Sequence, residues 1–511
     1  MSKTFTPSPY QAAIFEKIEK TDESLIIEAV AGSGKTTTIV QGVGVMPSSA
    51  SILFLAFNKD IAKELATRLP RHADAKTFHA VSLSAWLRYL GGRKDLNEFI
   101  DGNKMRRIVR NGLKLERDEI DLYLGFATKL VGYAKNAGVG AIVEDTLGAW
   151  LALVDHFDLT LDAEGAAIER GIEIARAALA MSIKYADRVI DYDDMLFMPL
   201  LKGCGFNRYD FVVVDEAQDT NAVQRALLKR MLKPGGRLIA VGDSRQAIYG
   251  FRGADSDAME IIAREFGCVK MPLTVSYRCP RAVVEKAREV VSHIEAHETA
   301  PEGEVAYLDE YAAEDFTRGS AVICRNVAPL VSMAYGLLTR QVGCRVLGRD
   351  IGAGLVSLVE KLNAKGVDNL LRKLEEWRAR EVEAAIEKDN EAKVESINDT
   401  AECIRLFAEM LKETERTIPG LVRKIEGLFS DNADDSNLVT LCSAHKSKGL
   451  EWGTVYLLDS DTLMPSKYAR KDWQKAQELN LIYVAYTRAK SSLRFIESQA
   501  WREAEAMKRA A

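Results

Sequence analysis

Ala29-Val30-Ala31-Gly32-Ser33-Gly34-Lys35-Thr36-Thr37 decides how the chain is read. Before it, the apolar run Leu25-Ile26-Ile27-Glu28 reads as a buried strand; after it, Thr38-Ile39-Val40 reads as the start of a helix. A strand that breaks into small residues and restarts as a helix leaves backbone N–H groups aimed at one point, with the helix dipole behind them. Gly32 and Gly34 let that backbone curl without Cβ clashes. Lys35 is placed to reach a β- or γ-phosphate and the Thr36 hydroxyl to hold Mg²⁺. The stretch is a P-loop, with Ala29 where the strictest pattern has Gly, and it implies a bound nucleoside triphosphate.

At 511 residues the chain is too long for one core, and roughly two to four domains are expected. Hydrophobic residues at 47% and charged residues at 28% are ordinary for globular protein. No apolar run reaches the length of a membrane span, and Met1-Ser2-Lys3-Thr4-Phe5 lacks a signal-peptide core, so no membrane partner and a cytoplasmic location are expected. The seven cysteines are scattered without a C-x-x-C pair, which argues against zinc or iron–sulfur chemistry and for a reducing compartment. The net charge of −5 does not advertise nucleic-acid binding, although a basic groove can sit on an acidic body.

Gln11 precedes the P-loop strand; its amide suits either an adenine edge or the cap of its own helix, and position alone favours the cap. Ser51 to Phe57 reads as a second buried strand, followed by Asn58 capping a helix, and a third short strand ends at Ala75-Lys76-Thr77-Phe78-His79. Such alternation builds a parallel sheet whose ligands gather at the carboxyl ends of the strands, where Asn58, Thr77, Phe78 and His79 fall; Phe57, last residue of the second strand, joins Asn58, Thr77 and His79 as a candidate DNA contact. His79 taken alone reads as a structural histidine. From about 86 to 194 helical patterns take over (Lys104 to Leu113, Ala163 to Tyr185); most of their charges read as a solvated face, and no chemistry is assigned to them. The sheet returns with Phe211-Val212-Val213-Val214-Asp215-Glu216. Here Asp215 is placed to hold Mg²⁺ through water and Glu216 to activate an attacking water. A further strand, Leu238 to Val241, ends in Gly242-Asp243-Ser244-Arg245-Gln246-Ala247-Ile248-Tyr249-Gly250-Phe251-Arg252. Gln246 and Arg252 suit γ-phosphate sensing, while Tyr249 and Phe251 suit either base stacking or a core.

In this order, A-V-A-G-S-G-K-T, V-V-V-D-E-A-Q-D, V-G-D-S-R-Q-A-I-Y-G-F-R-G-A, Y-R-C-P, S-K-G-L-E-W and Y-V-A-Y-T-R-A resemble the motifs of superfamily 1 DNA helicases of the UvrD/Rep/PcrA type, from Gln11 to Arg488. The resemblance implies α/β architecture: two RecA-like domains of parallel sheets flanked by helices, each with a mainly helical insertion. The expected boundaries are 1–85 with 195–272 for the first RecA-like domain and 86–194 for its insertion. The second domain takes 273–352 with 438–511, and its short insertion takes 353–437. It further implies an ATP- and Mg²⁺-dependent helicase and translocase moving 3′→5′ on single-stranded DNA and at single-strand/duplex junctions. A translocase that only displaces proteins, or a nucleotide-gated DNA-binding protein, are the alternatives. Protein partners are not implied, and no nuclease domain follows Arg488 before Ala511, which argues against a helicase–nuclease.

Roles carry over at matching positions. Gln11 would contact adenine; Ala31, Gly32, Ser33, Gly34, Lys35, Thr36 and Thr37 would cradle phosphate, with Thr36 and Asp215 on Mg²⁺. Glu216 would be the catalytic base. Gln246 and Arg252 would couple phosphate to DNA, with Phe251 as the stacking aromatic. Tyr277 would pack on adenine, Arg278 would reach the γ-phosphate, and Ser276 stands where Asn is common. His445, Lys448, Gly449 and Glu451 match the next motif, with Glu451 near the ribose and His445 on DNA. Arg488 would be the arginine finger, a type of residue worth about 10³–10⁵ in rate in GTPases. Asp191-Tyr192-Asp193-Asp194-Met195 also resembles a stretch these helicases carry. Strands read in the second half are Ser320 to Arg325, Asn437 to Cys442 and Thr454 to Leu458; Arg372 to Lys393 reads as a solvated mixed-charge helix with a narrow apolar seam.

Overall fold

A computed structural model describes residues 6–92, 95–161, 167–250, 253, 257–387, 391–430 and 437–498. The chain forms two compact units, one from Met1–Val30 and Gly34–Thr274, the other from Ala31–Ser33 and Val275–Ala511. No helix among the described residues is long and apolar enough to cross a membrane.

Six strands organise the first unit: β1 (Leu25–Ala29), β2 (Ile52–Ala56), β3 (Ala73–Thr77), β4 (Tyr209–Val214), β5 (Leu232–Gly242) and β6 (Val269–Leu273). Their order is β3-β2-β4-β5-β1-β6, and every pairing is parallel. Strands buried on both faces need apolar residues at every position, which is why they read as unbroken runs rather than alternating ones. Leu25, Ile27, Phe54 and Val213 face the helices Pro9–Lys20 and Lys35–Gly44 on one side; Ile26, Leu53, Leu55 and Val214 face Ala222–Met231 and Ala258–Phe266 on the other. The helix after the P-loop starts at Lys35, three residues earlier than expected, because Gly34 in the left-handed region (φ 77°) serves as its N-cap. The third strand stops at Thr77, whose hydroxyl accepts from the Ala80 N–H and starts a helix, so Phe78 and His79 are helical. β6 was not expected; it runs to Leu273 on β1, so the first unit ends after Thr274 rather than at 272.

Between β3 and β4 the described chain is helical, with a core around Trp150, Leu130, Ala178 and Phe197. Lys104 to Leu113 is not one α-helix: Lys104–Arg107 gives way to a π turn over Ile108–Gly112. The second expected helix is Ile168–Lys184, the residues 162–166 before it lying outside the described chain. Buried charges sit in this core. Lys104 Nζ lies 2.6 Å from Asp194, and Lys135 Nζ lies 2.6 Å from Asp191 and 2.8 Å from Asp194. Burial alone would raise the Asp194 carboxyl, but Lys135 and Lys104 hold it below its ordinary range. Most charges were expected on a solvated face; these four are not, and they tie the insertion together from inside.

The second unit opens with the short pair β7 (Val275–Ser276) and β8 (Glu295–Ala296). Its main sheet holds β9 (Glu304–Leu308), β10 (Ala321–Cys324), β11 (Cys344–Leu347), β12 (Phe429–Ser430), β13 (Val439–Ser443), β14 (Trp452–Leu458) and β15 (Ala489–Ile496). The order is β12-β11-β13-β10-β14-β15-β9, again parallel throughout. Of these, β9, β11, β12 and β15 were not read from sequence. The mixed-charge stretch is two helices, Val367–Glu387 and Glu391–Glu409, packed on one another. Leu370, Leu374, Ile404 and Phe407 join the main core of the unit, so the apolar seam is a packing face.

Candidate nucleotide and DNA site

The loop after β1 turns through two left-handed glycines, Gly32 (φ 72°) and Gly34 (φ 77°), which a Cβ would strain. No side chain caps the helix that follows, so its first N–H groups are left for an anion. Ser33 Oγ is fully buried without a hydrogen-bond partner, and Thr37 stands half-buried in the first turn.

Within the same unit, β4 delivers the carboxylates. Thr36 Oγ1 donates to Asp215 Oδ2 at 3.0 Å, and Lys35 Nζ lies 3.5 Å from Glu216 Oε1. Burial, then the neighbouring Glu216 charge, push the Asp215 carboxyl up to about 6, against the pull of Lys35 and the Thr36 hydroxyl. A buried carboxylate this poorly compensated, beside a threonine hydroxyl, fits a hard divalent cation that takes oxygen ligands. Glu216 holds φ at 53°, a costly setting for a residue with a side chain, and its N–H donates to Asp215 Oδ1 at 2.9 Å.

Sequence reasoning missed how Glu216 is joined to Gln246. Gln218 Nε2 donates to Glu216 Oε2 at 2.5 Å, and Gln218 Oε1 accepts from the Asp243 N–H at 3.0 Å. Gln246 Nε2 in turn donates to Asp243 Oδ2 at 2.6 Å. Asp243 is buried, which pushes its carboxyl up to about 6 with Lys35 opposing. Its place at the end of a buried strand, like that of Asp215, is the signal that marked it.

Gln11 does cap its helix: its Oε1 accepts from the Ser8 N–H, and its Nε2 donates to Thr38 Oγ1 at 2.9 Å. One amide hydrogen and one lone pair remain for a further partner. Phe57, half exposed, lies parallel to Tyr249 with ring centroids 6.3 Å apart. Asn58 and Thr77 both act as N-caps, so their side chains serve helices first. Burial holds the His79 imidazole below its ordinary range. Phe251 and Arg252 lie outside the described residues.

The second unit gathers a different set. Arg278 Nε pairs with Glu451 Oε2 at 2.6 Å, and Lys490 lies 3.3 Å from the other oxygen of that carboxylate. Burial would raise Glu451, yet Arg278 and Lys490 hold it below its ordinary range. Arg488 is fully buried, donating to the Val484 and Leu450 carbonyls at 2.8 and 3.2 Å and to Thr487 Oγ1 at 3.1 Å. The Tyr277 ring is 46% exposed and its centroid lies 4.7 Å from that of His297; His445 is half-buried after β13.

Comparison with known proteins agrees with this division. Residues 11–252 match a family described as AAA domain, and residues 352–500 match the UvrD-like helicase C-terminal domain. The chain is 24% identical to the F-box DNA helicase protein 1 of Schizosaccharomyces pombe, over 92% of this chain and 55% of that protein. It is 25% identical to the ATP-dependent DNA helicase PcrA of Staphylococcus epidermidis over 54% of this chain and 39% of the relative. The same identity links it to DNA helicase II of Haemophilus influenzae, over 52% and 38%. The chain thus spans about half the length, or less, of the curated relatives it matches. With the P-loop, the Asp-Glu strand end and the arginine-bearing second sheet in the motif order of this family, the chain belongs to the UvrD/PcrA-type superfamily 1 helicases.

Proposed function

We propose that this protein hydrolyses ATP to move 3′→5′ along single-stranded DNA and to open the duplex at single-strand/duplex junctions. The observation that carries the hydrolytic half is the grouping of Lys35, Thr36, Asp215 and Glu216 at two strand ends of one unit. Thr36 and Asp215 would hold Mg²⁺, which when bound supplies positive charge to the phosphate oxygens. Lys35 binds the β/γ-phosphate oxygens, so its present neighbour Glu216 is released to face water. Glu216 takes a proton from that water as its oxygen bonds to the γ-phosphorus; the bond to the β–γ bridging oxygen breaks and ADP carries the electron pair away. Gln11 is assigned the adenine; the roles of Tyr277 on adenine and of Arg278 and Arg488 on the γ-phosphate charge rest on the family resemblance alone.

The chain from Glu216 through Gln218 and Asp243 to Gln246 supports coupling to DNA. It leads into the segment carrying Tyr249, whose ring lies parallel to Phe57, and aromatic faces of this kind hold unpaired bases. The 3′→5′ direction rests on the family resemblance of Gln246 to Ala254. The test is ATP turnover with and without a single-stranded oligonucleotide, followed by strand displacement on 3′- and 5′-tailed duplexes. Stimulation by the oligonucleotide and opening of the 3′-tailed duplex are expected. Turnover indifferent to DNA would remove the motor reading, and preference for a 5′ tail would reverse the direction. Stimulation without displacement would leave a translocase.

A further inference from the structure

The helical insertion was expected to carry no chemistry, yet one of its faces is unlike the rest of the surface. Residues 102–115 contain Lys104, Arg106, Arg107, Arg110 and Lys114 and no carboxylate, in a chain where acids outnumber bases. Lys104, Met105 and Val109 point inward, Lys104 held by Asp194 and the Ser182 carbonyl. The opposite side repeats at helical spacing: Asn103, Arg106, Arg107, Arg110 and Asn111 are exposed and line one surface concavity of about 380 Å³. Some exposed arginines elsewhere pair with carboxylates, as Arg170 does with Glu119 and Arg405 with Glu402, and others, such as Arg71 and Arg264, do not among the described residues. Here only Arg107 does, with Asp101; Arg106 and Arg110 have no ion-pair partner among the described residues. Lys114 is exposed just beyond, at φ 52°, where the π turn ends.

A second observation lies beside this face. Tyr192, first residue of the helix Tyr192–Leu201, is 61% exposed, and its ring stands where a Cβ on Gly102 would be only 3.5 Å away. The ring is held on a rigid base, because Asp191 and Asp194 cap that helix reciprocally and are themselves tied to the buried lysines. Cations without an ion-pair partner at one-turn intervals, on a stretch whose first residue, Gly102, an exposed ring abuts, offer the two elements of single-strand binding: phosphates on the charges and a base on the aromatic face. We propose that Arg106, Arg110 and Tyr192 form an accessory site for single-stranded DNA on the helical insertion, separate from the Phe57–Tyr249 pair. The site rests on the DNA reading above for its ligand.

The experiment is fluorescence anisotropy of the full chain with a labelled single-stranded oligonucleotide and, separately, a blunt duplex, over a series of salt concentrations. For Arg106→Ala/Arg110→Ala, the slope of log affinity against log salt on the single strand should become shallower by about 1.4, roughly 0.7 for each phosphate that is no longer neutralised. Arg106→Lys/Arg110→Lys should keep the slope, since the charge is kept. Tyr192→Ala should weaken single-strand binding about fivefold or more while leaving the slope unchanged, because stacking releases no counterions. An unchanged slope in the alanine pair overturns the site. Equal losses on the blunt duplex, with Tyr192→Ala silent, overturn the single-strand assignment and leave a phosphate surface. If the unaltered protein binds neither DNA at any salt, the failure belongs to the proposed function instead.

Discussion

Both units place a helix directly after a buried parallel strand, and the two junctions are opposites. After β1 the chain bends through Gly32 and Gly34, and no side chain caps the helix N-terminus. After β10 the chain passes through Arg325-Asn326-Val327 into the helix Ala328–Thr339, and the free N–H groups are already taken. Asp399, from the helix Glu391–Glu409, accepts from the Val327 and Ala328 N–H groups at 3.0 and 2.8 Å. Arg325 beside it is paired with Glu478 at 2.9 Å. The second unit carries its anion built in, as a carboxylate from its own insertion; the first leaves the place for one supplied from outside. The same physics, N–H groups at a helix start seeking negative charge, yields a ligand site in one case and a structural cap in the other. At this junction of the second unit the insertion's own carboxylate fills the place that the first leaves open.

The strongest way to break this contrast is at the open junction. Glu216→Gln should lower ATP turnover by about 10²–10⁴ while nucleotide binding, read by a fluorescent ATP analogue, is retained. Lys35→Ala should cost about 10²–10³ in turnover and weaken nucleotide binding as well. Near-normal turnover in either would show that the catalytic groups lie elsewhere. At the closed junction, Asp399→Ala strips two N–H groups of their acceptor and should destabilise the protein by about 2 kcal/mol in urea denaturation, with Asp399→Asn in between. A loss indistinguishable from zero would mean that the cap is ornamental. Recovery on adding sulfate would show that the closed junction still takes an external anion once emptied.

The smallest effect concerns charge in the absence of metal. Asp215 binds its proton at about 6 in the folded chain, above the ordinary carboxylate value. The folded state therefore holds a proton that the unfolded state releases, and stability falls as pH rises from about 4 to 6. Asp215→Asn removes that penalty. In chelator, the variant should be more stable than the parent by about 1–3 kcal/mol near pH 8, with no gain near pH 4. The opposite sign would show that Lys35 compensates the carboxylate fully.

The open junction was legible because its chemistry is local. Glycines, lysine and threonine in one stretch, and two carboxylates closing an apolar run, state their purpose within a few residues. Asp399 was not legible: it lies more than 70 residues from the N–H groups it serves, just beyond the mixed-charge stretch. Gln218 and Asp243 escaped for the same reason, since each finds its partner on a neighbouring strand end. Three of the missed strands have another cause. β6 and β9 are edge strands, half-exposed and without a long apolar run, and β12 is only two residues long. Gln11 was legible only as a choice between two uses, and the structure shows it capping its helix while keeping spare hydrogen-bonding capacity.

The buried lysines of the insertion bear on how this chain can be trimmed. An insertion between two strands invites excision, to leave a minimal ATPase. Here Lys104 and Lys135 enter from the inserted segment, while Asp191 and Asp194 sit on the helix that leads back to β4. Met195 and Phe197 of that helix pack in the core of the inserted segment, whereas Leu196 and Leu200 pack against the sheet. Cutting out the inserted segment while keeping that helix and its Asp191 cap would strand carboxylates in an apolar setting, a cost of several kcal/mol. The helical insertion is a keystone, and shortened variants of this protein should preserve it whole.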